Sequence, residues 1–519
     1  VSLTQVCGGE RGWSQVPEAG SGQFRWAVER WRAVPAWRLP VASALVGLAI
    51  AAGAVTAAGP WDSGQRTAER ELAAAQSRTG GADHGSGSGG GRSGRTGPMG
   101  GPPLAPDVLA AIGAAPATRS PDPVPPPTGS GLADALAPLL KDPSLGTRTA
   151  ASVVDTATGK ELYGSGAGDA AVPASTVKIA TAVAALDALG PGHRLETAVV
   201  KGATDDELVL VGGGDPTLTA RDPEGADGPA SLRTLAERTA RALKGDGKRK
   251  VTLSYDTSLY SGPEQHPIGP NENIAPVSSL MADEGRLDDS ARGPAPRATD
   301  PAADAARAFA DRLRDRGVDV GGEPHRTAAS PQADKVASVK SQPLSAIVER
   351  MLTDSDNDIA EALARQTAIA ERQPASFDGG GRAVEARLKK LRLPLGGAHF
   401  ADGSGLNRDD KVSAALLAQL LVRSADPRRP ELRPVLTGLP VAGFSGTLRN
   451  RYAEAPAGTG VVRAKTGTLT GVNTLAGTVV DADGRLLAFA FMTSESTDAN
   501  GAQNALDRLA AMVANCGCR

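Results

Sequence analysis

A serine and a lysine three residues apart, Ser175 and Lys178 in Ala174-Ser175-Thr176-Val177-Lys178, can share one face of a helix, one turn from each other. That puts an amine within reach of a hydroxyl, the smallest set of groups that can activate a serine as a nucleophile. The pattern recurs by chance about once in a chain this long, and a helix-capping serine beside a solvated lysine would show the same letters. The residues that follow are informative. Ile179-Ala180-Thr181-Ala182-Val183-Ala184-Ala185-Leu186 is apolar nearly all round, which predicts a helix inside a domain rather than on its surface. Pro173 precedes this helix and Gly190-Pro191 ends it.

Two more short runs carry groups suited to the same chemistry. Ser355-Asp356-Asn357 falls between two predicted helices, 343–352 and 356–370; alone it reads equally as a helix cap. Lys465-Thr466-Gly467-Thr468 falls on a predicted strand; alone it reads as an edge strand entering a turn. The five histidines, His84, His193, His266, His325 and His399, form no pair at metal-ligand spacing. No metal and no organic cofactor is therefore expected, and with Lys178 at hand a Ser-His-Asp triad is not required. Gly212-Gly213-Gly214-Asp215-Pro216 is a tight loop without the Lys-Ser/Thr and helix start of a phosphate loop.

The elements around these runs predict the scaffold. Stretches 147–155, with its hairpin partner 160–163, 196–201, 207–211, 250–255, 461–466, 473–480 and 486–493 read as strands. Stretches 231–243 and 412–423 read as amphipathic helices, and 302–316 and 503–514 as further helices. The last three strands should form an antiparallel meander. Strands at both ends of the domain enclosing a helical middle predict an α+β fold, in which one antiparallel sheet is built from both ends and flanked by helices.

The 519 residues carry a net charge of −2 and 3% aromatics, which gives no electrostatic reason to expect nucleic acid. Residues 1–38 read as a cytoplasmic leader, with Arg25, Arg30, Arg32 and Arg38 before an uncharged apolar run at 39–59. That run is long enough to span a bilayer, and its arginines put the leader inside. An uncleaved anchor is preferred to a cleaved signal peptide; either way the rest of the chain is exported. Residues 60–131 read as a Gly/Ser/Pro linker, flexible and then stiff, and 132–513 as the folded domain. Cys7 has no apolar run before it and does not read as a lipid-attachment site. Cys516 and Cys518 read as part of a frayed tail, with a local disulfide as the alternative.

Taken together, Ser175-x-x-Lys178, Ser355-Asp356-Asn357 and Lys465-Thr466-Gly467, in this order and on helix start, loop and strand, resemble the signature of the penicillin-binding and serine β-lactamase superfamily. Ser355 follows Ser175 by 180 residues and Lys465 follows Ser355 by 110. A gap that long before the second motif resembles the class C low-molecular-weight penicillin-binding proteins, which are D-Ala-D-Ala carboxypeptidases and endopeptidases. Gly213-Gly214-Asp215-Pro216-Thr217-Leu218, Ala275-Pro276-Val277-Ser278-Ser279-Leu280, Ala360-Glu361, Asp402-Gly403-Ser404-Gly405-Leu406 and Gly446-Thr447-Leu448 are similar to that family too. The resemblance implies a β-lactamase/transpeptidase-like sheet with a small α/β subdomain inserted at about 200–335. It implies peptidoglycan stem peptides as substrate and β-lactams as inhibitors. Ser175 would be the nucleophile, Lys178 its base, Ser355 a proton relay and Lys465 a source of positive charge. Asn357, Thr466, Gly467 and Thr468 would hold substrate, with the backbone N–H groups of Ser175 and Thr468 as oxyanion hole. A structural role is as good a reading for Ser404. A β-lactamase or esterase on the same site, and a non-catalytic penicillin-binding wall protein, are the competing readings.

Overall fold

The computed structural model describes residues 127–221 and 228–518; the leader, the apolar run and all but the last residues of the linker lie outside the described residues. Ten strands form two sheets of five. They are β1 Arg148–Asp155, β2 Glu161–Ser165, β3 Glu196–Lys201, β4 Glu207–Val211, β5 Lys250–Asp256, β6 Asp319–Arg326, β7 Lys335–Lys340, β8 Arg463–Leu469, β9 Val472–Val480 and β10 Leu486–Ser494. The first sheet has the order β2-β1-β10-β9-β8 and is antiparallel throughout. Strands from both ends of the domain thus lie side by side, and β8-β9-β10 is the expected meander.

Alternation along β10 explains how this sheet serves two layers. Leu487, Phe489 and Phe491 face one side with the C-terminal helix Ala499–Ala514; Ala488, Ala490 and Met492 face the other. The small side chains allow the alanine-rich helix Lys178–Leu189 to approach closely, and its residues 178–186 are all buried. Helices Leu344–Asp354, Asn357–Ala370 and Ala414–Ala425 complete that layer. The stacked rings of Phe489 and Phe491, 5.2 Å apart, anchor the opposite one; each fully buried ring contributes about 2 kcal/mol of transfer free energy.

The second sheet, β6-β5-β4-β3-β7, is mixed: β4-β5 and β5-β6 pair in parallel, β3-β4 and β3-β7 antiparallel. Its parallel pairs require crossovers, which helices Leu232–Gly245 and Pro301–Arg314 supply while covering one face. Strands β6 and β7 escape sequence reading. Both are edge strands; β6 is largely exposed and carries Gly321, Gly322 and Pro324, which only an edge tolerates.

The helix Phe377–Lys390 also escapes sequence reading, because Gly379-Gly380-Gly381 in its first turns depresses helix propensity. Packing explains the glycines: a Cβ on Gly381 would sit 1.9 Å from the Phe400 carbonyl oxygen, and one on Gly380 would press on Ala364 at 3.2 Å. The frayed tail is corrected. Cys516 and Cys518 form a disulfide, Cys516 is buried, and the Cys518 carbonyl accepts the Thr128 N–H at 2.8 Å. Among the described residues no helix is long and apolar enough to cross a membrane.

Candidate active site

Ser175 sits in a single 3-10 turn, Ala174–Val177, and the α-helix begins at Lys178. Ala174 holds a left-handed φ of 47°, rare for a residue with a side chain. Surrounding groups over-determine this turn. The Thr176 and Thr474 hydroxyls donate to the Pro173 carbonyl at 2.7 and 2.8 Å. Gly467 of β8 presses from one side: a Cβ there would meet the Pro173 oxygen at 2.7 Å and Thr474 Oγ1 at 2.2 Å. Gly405 presses from the other, where a Cβ would lie 2.0 Å from the Ala174 oxygen. Both glycines are needed because two backbones must touch the turn that carries Ser175.

Lys178 is fully buried, and its Nζ lies within hydrogen-bonding distance of three groups: Ser175 Oγ at 3.0 Å, Asn357 Oδ1 at 2.7 Å and the Ser404 carbonyl at 2.5 Å. Burial pulls its pKa down to about 8, against the opposing pull of the Asp402 and Glu361 carboxylates, which favour the charged form. Lys465 is also fully buried and donates to Ser355 Oγ at 2.8 Å and to the Thr466 carbonyl at 2.7 Å. Burial, and then repulsion from Lys178, hold its amine well below the ordinary lysine range. Ser355 ends the helix Leu344–Asp354 in a left-handed conformation, φ 61°, and Asp356 caps the next helix by accepting the Ile359 N–H at 3.0 Å. The capping reading of this motif therefore holds for Asp356, while Ser355 and Asn357 turn toward the two lysines. Asn357 Nδ2 is tied to the Asn273 carbonyl at 3.0 Å, which leaves Oδ1 for Lys178. Thr466 Oγ1 donates to Thr447 Oγ1 at 2.8 Å, and Thr468 is exposed at the open side of β8. Hydrogen bonds join Ser175, Lys178 and Asn357 in one group and Ser355, Lys465 and Thr466 in another, while Gly467 abuts the Ser175 turn and Thr468 follows it on β8.

Beneath Lys178 lies a buried acidic knot, of which Ser404 is the visible end. Asp402 Oδ1 accepts the N–H groups of Ser404 and Gly405 at 2.9 and 2.6 Å, and Oδ2 that of Asn407 at 2.7 Å. Glu361 Oε1 accepts from Gly403 and Ser404 at 3.0 and 2.9 Å. His266 donates from Nε2 to Asp402 Oδ2 at 3.0 Å, because its Nδ1 accepts the Ile268 N–H. Burial works against the Asp402 carboxylate, but these bonds hold its pKa below the ordinary value. Burial and the Asp402 charge push the Asp410 pKa well up, and its second oxygen finds no hydrogen-bond partner. The donor atoms of His266, Glu361 and Asp402 come within 4.8 Å of one another; the His266–Asp402 hydrogen bond and bonds from the loop backbone engage them.

Sequence reasoning assigned no role to His266, Glu361, Asp402, Asn273 or Thr447. Three of these stand in runs already noted by resemblance, Ala360-Glu361, Asp402-Gly403-Ser404-Gly405 and Gly446-Thr447-Leu448, so their position was visible and their contacts were not. His266 and Asn273 carried no signal, since they lie 136 and 84 residues from their partners.

Residues 132–296 and 288–515 match the D-Ala-D-Ala carboxypeptidase 3 (S13) family. Carboxypeptidase DacB of Mycolicibacterium smegmatis is 39% identical over 434 residues, covering 80% of this chain and 90% of that protein. A D-alanyl-D-alanine carboxypeptidase of an Actinomadura species is 32% identical over 432 residues, covering 67% and 78%. Among solved structures, penicillin binding protein 4 (dacB) of Haemophilus influenzae superposes with a TM-score of 0.60 at 24% identity over 73% of this chain and 97% of that one. A complex of the same protein with a β-lactam gives 0.56 at 25% identity, with the same coverage.

Proposed function

The chain belongs to the D-Ala-D-Ala carboxypeptidase 3 (S13) family, and on that premise we propose that it is a serine D-alanyl-D-alanine carboxypeptidase/endopeptidase whose nucleophile is Ser175. The observation that carries the assignment is the threefold bonding of Lys178 Nζ. A neutral amine has two N–H donors and one lone pair. With the donors taken by Asn357 Oδ1 and the Ser404 carbonyl, the lone pair is left for the Ser175 hydroxyl. Lys178 is thereby a base aimed at one proton.

The steps follow from that arrangement. Ser175 Oγ attacks the carbonyl carbon of the penultimate D-alanine while Lys178 takes its proton. The oxyanion forms against the backbone N–H groups of Ser175 and Thr468. The substrate amide is held by Asn357, and its terminal carboxylate by the hydroxyls of Thr466 and Thr468, with Gly467 giving close access and Lys465 supplying charge. The C–N bond breaks, and Ser355, bonded to Lys465 Nζ, passes the proton from Lys178 to the leaving amine. Water then cleaves the Ser175 ester and restores the hydroxyl. A β-lactam acylates the same oxygen and keeps its leaving group tethered. The substrate, peptidoglycan, places the domain outside the cytoplasm, with residues 39–59 as anchor or signal and 60–131 as tether.

Purified Ser175→Ala protein should neither release D-alanine from a D-Ala-D-Ala peptide nor retain a fluorescent penicillin. Release at the wild-type rate would remove Ser175 from the mechanism.

A further inference from the structure

Two planar amide groups present their oxygens to the Lys178 amine, and each is held from behind. The Asn357 carboxamide is held at its Nδ2, which donates to the Asn273 carbonyl at 3.0 Å, and it turns Oδ1 to Lys178 at 2.7 Å. The second group is the peptide unit between Ser404 and Gly405. Its N–H donates to Asp402 Oδ1 at 2.6 Å, and its carbonyl lies 2.5 Å from Lys178 Nζ. In a trans peptide, as this one is, those two groups point in opposite directions. Asp402 therefore aims the carbonyl by gripping the far end of the same plane.

Both supports trace to one stretch, residues 261–277, in the long connection between β5 and the helix Pro301–Arg314. Asn273 supplies its carbonyl directly. His266 acts one step back, where its Nε2 donates to Asp402 Oδ2 at 3.0 Å. The imidazole is only 1% exposed and is fixed on its other sides. Its Nδ1 accepts the Ile268 N–H at 3.2 Å, and its ring stands edge-on to Phe377 at 5.1 Å. The stretch is itself tied down. Arg365, also buried, donates to the Ser261 and Pro263 carbonyls at 3.1 Å each, and Asp358 accepts the Ala275 N–H at 2.9 Å. Arg365 and Asp358 stand on the helix that begins with Asn357. From the second sheet, Arg326 of β6 pairs with Glu264 at 2.7 Å.

On the acyl-transfer reading above, which this inference presupposes, the direction of the Lys178 lone pair decides whether the Ser175 proton can leave. That direction follows from where the two oxygens sit, because they engage the two N–H groups of the neutral amine. We propose that His266 and the Asn273 main chain are positioning groups for the base, so that the stretch returning from the second sheet sets the aim of Lys178. No proton moves through them. The Nε2 proton of His266 stays on the imidazole, and what depends on it is the angle at which the Ser404 carbonyl meets the amine. The connection that leaves the second sheet is thereby a working part of the base rather than a spacer between the first two motifs.

The test is single-turnover acylation of the full chain by a fluorescent penicillin. The rate constant reports on each active molecule, and the final labelled fraction reports how many molecules are folded. His266→Phe keeps a buried ring and removes the Nε2 donor. Its limiting rate constant should fall about 10- to 100-fold, the scale of a misplaced catalytic group, while the half-saturating penicillin concentration stays within about twofold. His266→Gln returns a donor and should recover most of the loss. Asn271→Ala removes the acceptor that holds the Asn273 N–H at 2.7 Å. It should slow acylation about threefold, as for one neutral hydrogen bond. A His266→Phe rate constant within about twofold of wild type, an equal loss in His266→Gln, or a change confined to the half-saturating concentration would each overturn the positioning role. If His266→Phe yields no folded protein, Asn271→Ala decides, and acylation at the wild-type rate overturns the proposal. Folded wild-type protein that penicillin never acylates, or labelling of Ser175→Ala, would instead overturn the underlying reading of Ser175.

Discussion

The Lys178 amine and the Ser404 main-chain oxygen lie 2.5 Å apart, although 226 residues separate them in the chain. This contact, with the one from Asn357, decides where the lysine lone pair points. A general base positioned in this way contributes about 10²- to 10⁴-fold. Lys178→Ala should therefore lower the rate of penicillin acylation by that order, measured by labelling under single-turnover conditions. An acylation rate within tenfold of wild type would mean that another group takes the Ser175 proton.

Acylation should also follow the protonation of Lys178. Only the neutral amine accepts a proton, and burial lowers its pKa to about 8, so the rate should rise as pH climbs through that value. The groups facing it are Lys465 from β8, Asp356 and Glu361 from the helix that follows Ser355, and Asp402 and Asp410 from the loop beneath. Removing the Asp402 charge in Asp402→Asn keeps a carbonyl acceptor for the Ser404 and Gly405 N–H groups. It also withdraws a stabiliser of the lysine cation, so the acid limb of the rate profile should move to lower pH. A uniform drop with the limb unmoved would show that Asp402 acts through loop shape alone.

Glu361 links the same knot to stability. Burial, and then the Asp402 charge, raise its carboxyl to about 7. In the unfolded chain it ionises near 4. Between about pH 4 and 7 the unfolded chain has lost this proton and the folded chain has kept it, so the contribution to stability declines as pH rises through that window. Glu361→Gln has nothing to ionise. Its Tm relative to wild type should increase from pH 4 to pH 8, by the equivalent of up to about 3 kcal/mol. A difference that stays flat across that range would show that Glu361 is ionised in the native protein.

Gly405 tests the nucleophile's turn. At φ 83° an alanine costs about 1 kcal/mol of backbone strain, and here its Cβ would also strike the Ala174 oxygen. Gly405→Ala should lose acylation by more than tenfold as the turn shifts. Gly484 has nearly the same φ, 81°, but no atom within 4 Å of a Cβ. Gly484→Ala should carry the strain alone and acylate normally. If both variants acylate alike, the contact with Ala174 is not what positions Ser175.

The three short motifs were legible because each is local. A serine and a lysine one turn apart, a serine and an asparagine between two helices, and a lysine and two threonines on a strand declare their chemistry within four residues. The apolar, β-prone run at 486–493 and the all-round apolar run after Lys178 likewise predicted a sheet with helices on it, one of them interior. Edge strands β6 and β7 and the triple-glycine helix did not declare themselves, because their stability comes from neighbours: a paired strand in the first case, close backbone approach in the second.

By itself, then, the amino-acid order determined which groups could react, on which elements, and in what succession. The tertiary structure alone decided how they are made reactive. Lys178 is an ordinary lysine in the chain. On the proposed mechanism it acts as a base because burial strips its hydration and two acceptors, brought from 179 and 226 residues away, engage its N–H groups. Hydrogen bonds and Coulomb forces act over a few ångströms of space, and distance along the chain does not enter them.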